Sequence, residues 1–266
     1  MRIDESYLSG QMFHIGKEFN LKNAIHCKMY SKVQYMLYQA KGKKVIHLGF
    51  CNHISEIDKE ISNGTWLHER LCKVASKCIG IDIDEEAVDK LKQLGYNDIY
   101  CLDVTSPPPV EFISSSEIYD YILIPDVLEH LDNPKTFLEA LQANYGDIFN
   151  EIIISVPNVF WIKNTMNAFK TKEVVNTDHR HWFSPYTLSK YLYNANFRIT
   201  QMFFANHEYE REQWLLEKRN NNKRFRAVRA FLRFIYYLPL RTIYKLFPAI
   251  RGMIICHASS QKKQPE

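Results

Sequence analysis

Short apolar runs and longer amphipathic segments alternate along this chain. The apolar runs lie at about residues 45–48, 78–82, 99–102, 119–124 and 152–156, and each has the length of a buried strand. Between them, apolar residues recur at the three- and four-residue spacing of helices. This alternation predicts an α/β fold in which helices flank a mostly parallel sheet.

Residues that cap helices precede the amphipathic segments. Asp, Asn, Ser and Thr side chains accept the free backbone N–H groups of a first helical turn, and proline fits within that turn. The helix starts predicted in this way are Thr65 with Trp66, Asp84, Asn133-Pro134 with an end near Phe149, and Ser184-Pro185 with an end near Leu192. A helical lead-in at about 22–40 and last strands at about 197–204 and 253–257 complete the prediction.

The length and composition fit one globular core with an appended element. The chain has 266 residues, 46% of them hydrophobic, which suffices for a substantial core. We expect a helical lead-in at 1–42, the core at 43–207, a basic helical insertion at 208–251, and a last strand with a disordered tail at 252–266.

The cysteines and the N-terminus both favour a cytoplasmic protein. The six cysteines show no Cys-x-x-Cys spacing and several lie in apolar runs, which favours reduced, mostly buried thiols. Residues 1–16 are polar and lack the long apolar stretch of a signal peptide. A cytoplasmic location is therefore expected.

Positive charge is concentrated towards the C-terminus. From Lys218 onward there are 12 Lys and Arg and one acid, a net charge of +11, whereas residues 1–217 carry −7. Between residues 222 and 251 the basic side chains alternate with aromatic and aliphatic ones, which predicts one or two amphipathic helices broken near Pro239. The longest uncharged run there, Phe234 to Leu240, is far shorter than the roughly 20 residues of a membrane span.

Three interpretations of residues 222–251 remain open. The preferred one is peripheral attachment to an anionic membrane surface, on the inner face of a membrane. The second is a cap over the core or a homodimer surface, with the charges facing solvent. The third and less favoured one is binding of nucleic acid, because basic and aromatic side chains also suit phosphates and stacked bases. No motif specifies an oligomeric state.

Three predicted strands end in residues suited to a nucleoside. Gly49 follows the first strand, Asp82 ends the second, and Asp103 ends the third. In a parallel sheet these ends share the edge where open α/β folds bind ligands. Gly49 allows a ligand close to the backbone, Asp82 suits the hydroxyls of a ribose, and Asp103 suits an adenine amine.

This order of strand ends resembles the class I S-adenosylmethionine-dependent methyltransferases. The resemblance runs from about Lys43 to Ser260, with 119–124 similar to their fourth strand and 152–158 to their fifth. It implies a Rossmann-like, seven-stranded sheet whose last two strands form an antiparallel pair, with S-adenosylmethionine as cofactor. The cofactor-binding residues that it implies are His47, Gly49, Phe50, Asp82, Ile83, Asp103, Val104 and Asp126.

The first loop departs from the family pattern. Most members carry a Gly-x-Gly-x-Gly type loop after the first strand, whereas this chain has Gly49 followed by Phe50, Cys51, Asn52 and His53. A non-catalytic relative that has lost the cofactor would explain the missing glycines and stays an alternative.

An acidic motif follows the fourth strand. Asp126, Glu129 and His130 occupy positions i, i+3 and i+4, which lie on one face if the turn is helical. The pattern is similar to the acid-x-x-Glu-His motif of ubiquinone-pathway O-methyltransferases and small-RNA 2′-O-methyltransferases, which implies a site for magnesium formed by these three residues. The alternative is that Glu129 and His130 bind no metal and only shape the pocket beneath the methionine moiety of the cofactor. We expect both residues beside the transferred methyl group, as catalytic residues.

A second cluster, 176–185, follows the fifth strand and contains two candidate bases, His179 and His181. An imidazole titrates near neutral pH and can accept a hydroxyl proton. We favour His179, because Asp178 precedes it and could orient its ring. The alternative is that either histidine only holds the loop by hydrogen bonds.

The residues between the two clusters suggest the acceptor. Amide and aromatic side chains suit a sugar, although they suit a core and helix caps equally well. These residues are Asn158, Phe160, Trp161, Asn164 and Asn167. We therefore expect O-methylation of a saccharide or lipid-linked small molecule at a membrane surface, with RNA 2′-O-methylation as the alternative enzyme function.

Overall fold

The computed structural model describes residues 3–21, 31–51, 54–109, 117–206 and 242–261. Seven strands in these ranges form one sheet. The strands are β1 (Lys44–Leu48), β2 (Lys77–Asp82), β3 (Ile99–Cys101), β4 (Tyr119–Pro125), β5 (Phe149–Pro157), β6 (Phe197–Ala205) and β7 (Met253–Ser260). The helices are α1 (Glu5–Ser9), α2 (Lys32–Ala40), α3 (Ile54–Asn63), α4 (Leu67–Val74), α5 (Glu85–Gln93), α6 (Pro134–Tyr145), α7 (Ile162–Phe169) and α8 (Pro185–Asn194), with 3₁₀ turns at Leu128–His130 and Pro248–Ile250.

The strand order of the sheet is β3-β2-β1-β4-β5-β7-β6. Strands β1 to β5 pair in parallel, and β7 runs antiparallel to both β5 and β6. The order reverses between β1 and β4, which is the point where sheets of this kind bind ligands beyond the strand ends. This confirms the predicted seven-stranded, Rossmann-like sheet and its antiparallel last pair.

The central strands are buried on both faces, which explains their continuous apolar sequence. Ile122, Leu123 and Ile124 of β4 are fully buried, and so are Ile152, Ile153 and Ile154 of β5. Strands covered by helices on both sides lose the alternation of apolar and polar residues. The short apolar runs in the sequence are therefore the interior of the sheet.

The helix starts agree with the capping residues, with two corrections. Asp84 caps α5 by accepting the N–H of Ala87 at 3.0 Å, and Ser184 begins α8 in a reciprocal capping box. Thr65 was predicted to cap a helix, but the N-cap of α4 is Trp66, because Thr65 instead donates its hydroxyl to the Glu60 carbonyl.

The second correction concerns the helix that follows Asn133. Asn133 caps α6 as predicted, by accepting the N–H of Thr136. The helix ends at Tyr145 and not near Phe149, because Phe149 already begins β5 and pairs with Tyr119.

The C-terminal basic segment is described only near its end. The predicted basic helices lie mostly at 207–241, outside the described residues. Arg251, which was counted in the basic surface, is 2% exposed and donates to the carbonyls of Tyr244 and Phe204. Its charge therefore belongs to the interior of the fold.

Among the described residues no helix has both the length and the apolar character needed to cross a bilayer.

The prediction of mostly buried cysteines holds only in part. Among the described cysteines, Cys78 and Cys256 are buried, Cys51 is intermediate, and Cys72 and Cys101 are exposed. All five are free thiols.

Candidate functional site

The carboxyl end of β1 approaches the loop after β4 at Gly49. This residue has φ of +66°, and a Cβ added there would lie 2.5 Å from Cγ2 of Val127. Only glycine fits both the left-handed backbone and this contact. The group that approaches Gly49 here is the Val127 side chain, so the predicted approach of a ligand to this glycine stays a prediction. Asn52 and His53 of its loop lie outside the described residues.

Asp82 holds the first loop through backbone amides. One carboxylate oxygen accepts the N–H of Cys51 at 2.8 Å, and the other accepts those of Ile83 at 2.8 Å and Asp84 at 3.1 Å. Burial raises the pKa of Asp82 although these bonds favour the ionised form. The Cys51 thiol is also hydrogen-bonded to the Asp82 carboxylate, so Asp82 holds the first loop in place. Its predicted contact with a ribose stays a prediction.

The third strand end presents a mixture of exposed and buried side chains. Asp103 lies two residues beyond β3, is exposed, and accepts the N–H and hydroxyl of Thr105 at 2.9 and 2.7 Å. Ile83 is 73% exposed, whereas Val104 is buried in the core. An exposed apolar side chain beside an exposed carboxylate suits the face and the amine edge of an adenine.

His47 and Phe50 are packed inside the protein. The Phe50 ring lies against the rings of Trp66 and His68, and the Phe50 carbonyl accepts the indole N–H of Trp66. His47 is buried, and burial, followed by the neighbouring His68 and Lys32, lowers its pKa well below the usual value. The side chain of Phe50 therefore serves packing, and His47 is neutral at physiological pH.

Asp126 adopts an unusual backbone conformation at the end of β4. Its φ is +56°, which is rare for a residue other than glycine. Its carboxylate pairs with the ammonium group of Lys32 and accepts the hydroxyl of Ser155 at 3.0 Å. Lys32 was missed by sequence reasoning, because it lies 94 residues from Asp126 and belongs to no motif.

Glu129 is a buried carboxyl group at the centre of the site. It is fully buried, and neither carboxylate oxygen has a hydrogen-bond partner among the described residues. Burial, and then the nearby Asp126 carboxylate, raise the pKa of Glu129 to about 9. At neutral pH this group therefore holds a proton, unless a cation binds it.

The structure brings His179 to Glu129 and His130. One ligand atom from each of these residues lies within 4.8 Å of the others. The rings of His130 and His179 meet edge to face, with centroids 4.7 Å apart. Burial, followed by His130, lowers the pKa of His179, and Asp178 opposes this only weakly.

This cluster corrects the predicted metal group. Asp126, Glu129 and His130 were expected on one helical face, but only 128–130 form a 3₁₀ turn, and Asp126 lies before it with a left-handed backbone. The residues that come within ligand distance are Glu129, His130 and His179. A carboxylate and two imidazoles suit a divalent cation.

The segment that carries His179 is fixed by the backbone of the acidic motif. The N–H groups of Arg180 and His181 donate to the Glu129 carbonyl at 2.7 and 3.2 Å. The Arg180 guanidinium also donates to the His130 carbonyl and pairs with Asp132 at 2.7 Å. The two clusters recognised in the sequence therefore form one site, whereas His181 points to the Asp132 carbonyl at 3.4 Å.

The residues considered for a sugar have mostly structural roles. Asn158 is fully buried and donates to the carbonyls of Ala249 and Arg251. The Trp161 indole donates to the Tyr244 hydroxyl at 3.1 Å. Asn164 donates to the Val159 carbonyl at 3.3 Å. These contacts favour the alternative that the segment caps and packs.

An apolar cavity of about 180 Å³ lies beside this segment. Three of its six lining residues are aromatic. Its lining residues are Phe19, Leu21, Phe160, Ser184, Pro185 and Tyr186. The Phe19 and Tyr186 rings stack with centroids 5.1 Å apart. Of the predicted acceptor residues, Phe160 lines this cavity.

Comparisons with known proteins agree with the fold. The sequence model of a family described as a methyltransferase domain matches residues 54–202. A comparison with curated protein sequences gives no significant match.

Among solved structures, the chain is similar to magnesium protoporphyrin IX methyltransferase from Synechocystis PCC 6803 with bound S-adenosylhomocysteine, at 13% identity, 86% coverage of this chain, 80% of that one and a TM-score of 0.48. It is also similar to a small RNA methyltransferase, at 14% identity and a TM-score of 0.49, with 94% of this chain covering 28% of that one. The YcgJ protein of Bacillus subtilis matches at 10% identity over 87% of this chain and 98% of that one, with a TM-score of 0.45.

The family assignment rests on the sequence match, which covers more than half of the chain, and on the strand order. The chain belongs to the class I S-adenosylmethionine-dependent methyltransferases.

Proposed function

We propose that this protein is an O-methyltransferase that acts on a hydroxyl group of a saccharide or lipid-linked small molecule at a membrane surface. The observation that carries the proposal is the cluster of Glu129, His130 and His179 at the carboxyl end of the sheet. A hydroxyl acceptor must lose a proton as it is methylated, and this cluster provides groups that accept and hold protons.

His179 is the proposed proton acceptor. Its lowered pKa keeps the imidazole neutral at physiological pH, so a ring nitrogen is available to a hydroxyl. The cofactor supplies a methyl group that is already activated, so the protein needs mainly to orient the hydroxyl and remove its proton. Contact with the His130 ring and the backbone anchoring of Arg180 keep His179 in place.

Glu129 has a second proposed role with His130. In the protonated state Glu129 donates a hydrogen bond that orients an acceptor oxygen. If the enzyme is metal-dependent, the same group with His130 and His179 would instead hold a divalent cation, and its two imidazoles suit a softer ion than Mg²⁺. Such an ion would lower the pKa of a bound hydroxyl and take over the role of His179 as proton acceptor. Asp126 stays next to the site, where Lys32 balances its charge.

The aromatic cavity supports an acceptor with a flat or cyclic face. Ser184 and Pro185, which line it, follow His181 and Phe183 in the chain, so the cavity adjoins the segment that holds the proposed base. Sugar rings stack on aromatic side chains. We assign Phe160, whose side chain is exposed, to the binding of the acceptor ring.

The membrane-surface part of the proposal rests on the basic segment. Near its end, Leu246 and Phe247 are exposed and lie next to Lys245. Exposed apolar side chains beside basic ones suit the boundary of an anionic bilayer. The remaining basic residues of this segment, at 222–241, extend this pattern in the sequence.

The experiment that tests the function is an acceptor screen with methyl-labelled S-adenosylmethionine. The wild type is incubated with glycans and lipid-linked saccharides, each with EDTA or with Mg²⁺. The products are identified by mass spectrometry, and His179→Gln serves as the inactive comparison. Methylation at oxygen that depends on His179 supports the proposal, and transfer to nitrogen or carbon contradicts it.

RNA 2′-O-methylation is the second candidate function. The observation that favours it is the carboxylate and two imidazoles, since a metal bound there could hold the vicinal hydroxyls of a terminal ribose. The same assay with short RNAs separates the two functions. Methylation of RNA, with binding that weakens steeply as salt rises, would select this candidate over the glycan acceptor.

A further inference from the structure

A second cluster of potential metal ligands lies away from the methyl-transfer site, between α4 and the sheet. His68 and Cys72 are separated by one turn of α4, and Cys78 lies in β2. One ligand atom from each of the three residues lies within 4.8 Å of the others. His68 and Cys78 are buried, whereas Cys72 is exposed and opens the cluster to solvent.

The distances in this cluster approach those of a tetrahedral site. The Cys72 sulfur lies 3.6 Å from Nε2 of His68, and the Cys78 sulfur lies 3.9 Å from Nδ1 of the same ring. Zinc binds sulfur at about 2.3 Å and imidazole nitrogen at about 2.0–2.1 Å, so two ligands of one tetrahedral ion are about 3.6 Å apart. Cys72 and Nε2 of His68 already have this spacing, whereas the Cys78 sulfur lies by Nδ1, the other ring nitrogen. Binding of one ion therefore requires the Cys78 side chain to turn towards Nε2.

The surroundings position the His68 ring. A Cβ on Gly80 would lie 2.9 Å from Cε1 of His68, so the glycine in β2 makes space for this ring. The Phe50 and Trp66 rings pack against His68 at centroid distances of 4.8 and 5.3 Å. A ligand held in one orientation by packing loses little freedom when it binds an ion.

His47 adds an independent observation. It is 2% exposed, and its Nδ1 lies 3.3 Å from Nδ1 of His68. Its other nitrogen, Nε2, has no hydrogen-bond partner among the described residues. Histidines that bind metals usually share their second nitrogen with a neighbouring polar group, which fixes the ring and its tautomer. His47 has this relation to His68.

We propose that His68, Cys72 and Cys78 bind a thiophilic divalent cation, with Zn²⁺ as the physiological ion. His47 orients His68, and the fourth coordination position opens towards solvent beside Cys72. Two thiolates and an imidazole select zinc over magnesium, which prefers oxygen ligands. This site is separate from Glu129, His130 and His179, and the proposal does not depend on the acceptor.

The bound ion would fasten α4 to β2 just before the second strand end. Cys78 precedes Asp82 by four residues in the same strand, and His47 precedes Gly49 by two in β1. The metal therefore stabilises the part of the sheet that carries two cofactor-binding residues. Ions that bind only the folded state raise the midpoint of thermal unfolding.

The test uses the full chain, purified under reducing conditions and freed of metal. Co²⁺ is titrated as a spectroscopic substitute for Zn²⁺, and absorption of the thiolate-to-cobalt bands reports binding by cysteine. A cation at Glu129, His130 and His179 gives no such bands, because that group contains no sulfur. We expect one equivalent of Co²⁺ with thiolate bands, displaced by one equivalent of Zn²⁺.

The variants give the matched comparison. Cys72→Ser changes an exposed residue and should weaken Co²⁺ binding about 100-fold and lower the intensity of the thiolate bands, because only the Cys78 thiolate remains. His68→Gln should weaken binding to a similar extent. Cys101→Ser removes another exposed thiol and should leave binding unchanged. Circular dichroism verifies that each variant is folded, so that loss of binding is not loss of structure.

Three outcomes would overturn the proposal. The first is no stoichiometric uptake of Co²⁺ or Zn²⁺ by the reduced wild type. The second is an unchanged thiolate spectrum in folded Cys72→Ser. The third is a Cys72–Cys78 disulfide, found by peptide mapping of protein isolated with its thiols blocked, together with no metal binding after reduction. That result would assign the pair a redox role.

Discussion

The ammonium group of Lys32 pairs with the carboxylate of Asp126 and joins the start of α2 to the end of β4. The two side chains are 14% and 29% exposed, so solvent screens them only in part. The Asp126 carboxylate raises the pKa of the buried Glu129, and the Lys32 charge lowers the same pKa. One cation from the N-terminal part of the chain thus moderates the charge around Glu129 in the candidate site.

Replacing Lys32 by Met should destabilise the protein by about 1–3 kcal/mol at pH 8. The variant leaves the Asp126 carboxylate without its cation in a partly buried position, beside Glu129. Urea unfolding of wild type and variant measures the difference. The comparison is Lys43→Met, which breaks the more exposed ion pair with Asp120 and should destabilise the protein less than Lys32→Met does.

The double variant Lys32→Met with Asp126→Asn separates charge from packing. Removing both charges should recover most of the lost free energy of unfolding, because no unpaired carboxylate remains. If the double variant is as unstable as Lys32→Met alone, the ion pair is not the reason for the effect.

Replacing Asp82 by Ala should weaken binding of S-adenosylhomocysteine more than tenfold, which corresponds to about 1.4 kcal/mol. The change removes an acceptor for the ribose hydroxyls and the anchor of the Cys51 N–H. Calorimetric titration measures the affinity. The control is Asp89→Asn, an exposed acid on α5, which should bind as the wild type does. Equal affinity of the Asp82 variant and the wild type would exclude Asp82 from the site.

Replacing Glu129 by Gln should make the protein less sensitive to alkaline pH. The pKa of Glu129 is about 9 in the folded protein and near 4.5 when the chain is unfolded. Between these values the folded state holds a proton that the unfolded state releases. The contribution of this proton to the free energy of unfolding is therefore fully present below pH 4.5. It declines as the pH rises towards 9, by up to about 1.4 kcal/mol per pH unit.

Thermal unfolding from pH 5 to 9 in EDTA checks this prediction. As the pH rises, the free energy of unfolding of the wild type should fall relative to that of Glu129→Gln, because a neutral amide has no proton to lose. Parallel curves for the two proteins would show that Glu129 is ionised in the folded state.

Replacing His179 by Gln should lower kcat about 10²–10⁴-fold while leaving the affinity for S-adenosylhomocysteine unchanged. Because its pKa lies below 6.5, the wild-type rate should be constant above that pH and fall at more acidic pH. His181→Gln tests the other candidate base and should lose less than about tenfold. A larger loss in the His181 variant would reverse the assignment of the base.

Neutralising the basic segment should abolish binding to anionic vesicles. Replacing five residues by Gln should weaken binding about 100-fold or more, since each basic side chain near an anionic surface contributes about 1 kcal/mol. The replaced residues are Lys223, Arg224, Arg226, Arg229 and Arg233. Co-sedimentation with phosphatidylserine-containing vesicles measures the effect.

The matched control removes the same number of positive charges from the surface outside the basic segment. It replaces five exposed lysines by Gln, namely Lys17, Lys59, Lys73, Lys92 and Lys135. This variant should still sediment with the vesicles. Equal binding by both variants would contradict a specific role of the basic segment in membrane attachment.

The sequence predicted the sheet well because its signals are local. The apolar runs of β4 and β5 and the caps Asp84 and Ser184 all lie within a few residues of the elements that they define. The corrections arose where tertiary contacts decide the result. Phe149 pairs with Tyr119 across the sheet, and this pairing ends the preceding helix four residues earlier than the sequence predicts.

The methyl-transfer site was predicted as two separate clusters. Chemistry-bearing residues such as Glu129 and His179 are visible in the sequence, but their contact depends on how residues 176–183 fold against the 3₁₀ turn. Lys32 could not have been found, because a salt bridge between distant segments leaves no local pattern. The segment that includes Asn158 was ambiguous, because amide groups serve ligands and buried backbone carbonyls equally well.

The position of β7 determines when the sheet can be completed during synthesis. This strand lies between β5 and β6, yet it is the last strand in the chain, separated from β6 by residues 206–252. A growing polypeptide that has passed β6 therefore exposes one open edge on β5 and a further strand with no neighbour. Open edges of this kind invite pairing with other chains. The nascent protein stays vulnerable to aggregation until Met253–Ser260 have left the ribosome, and a premature stop before Met253 would deprive β5 and β6 of this shared partner at once.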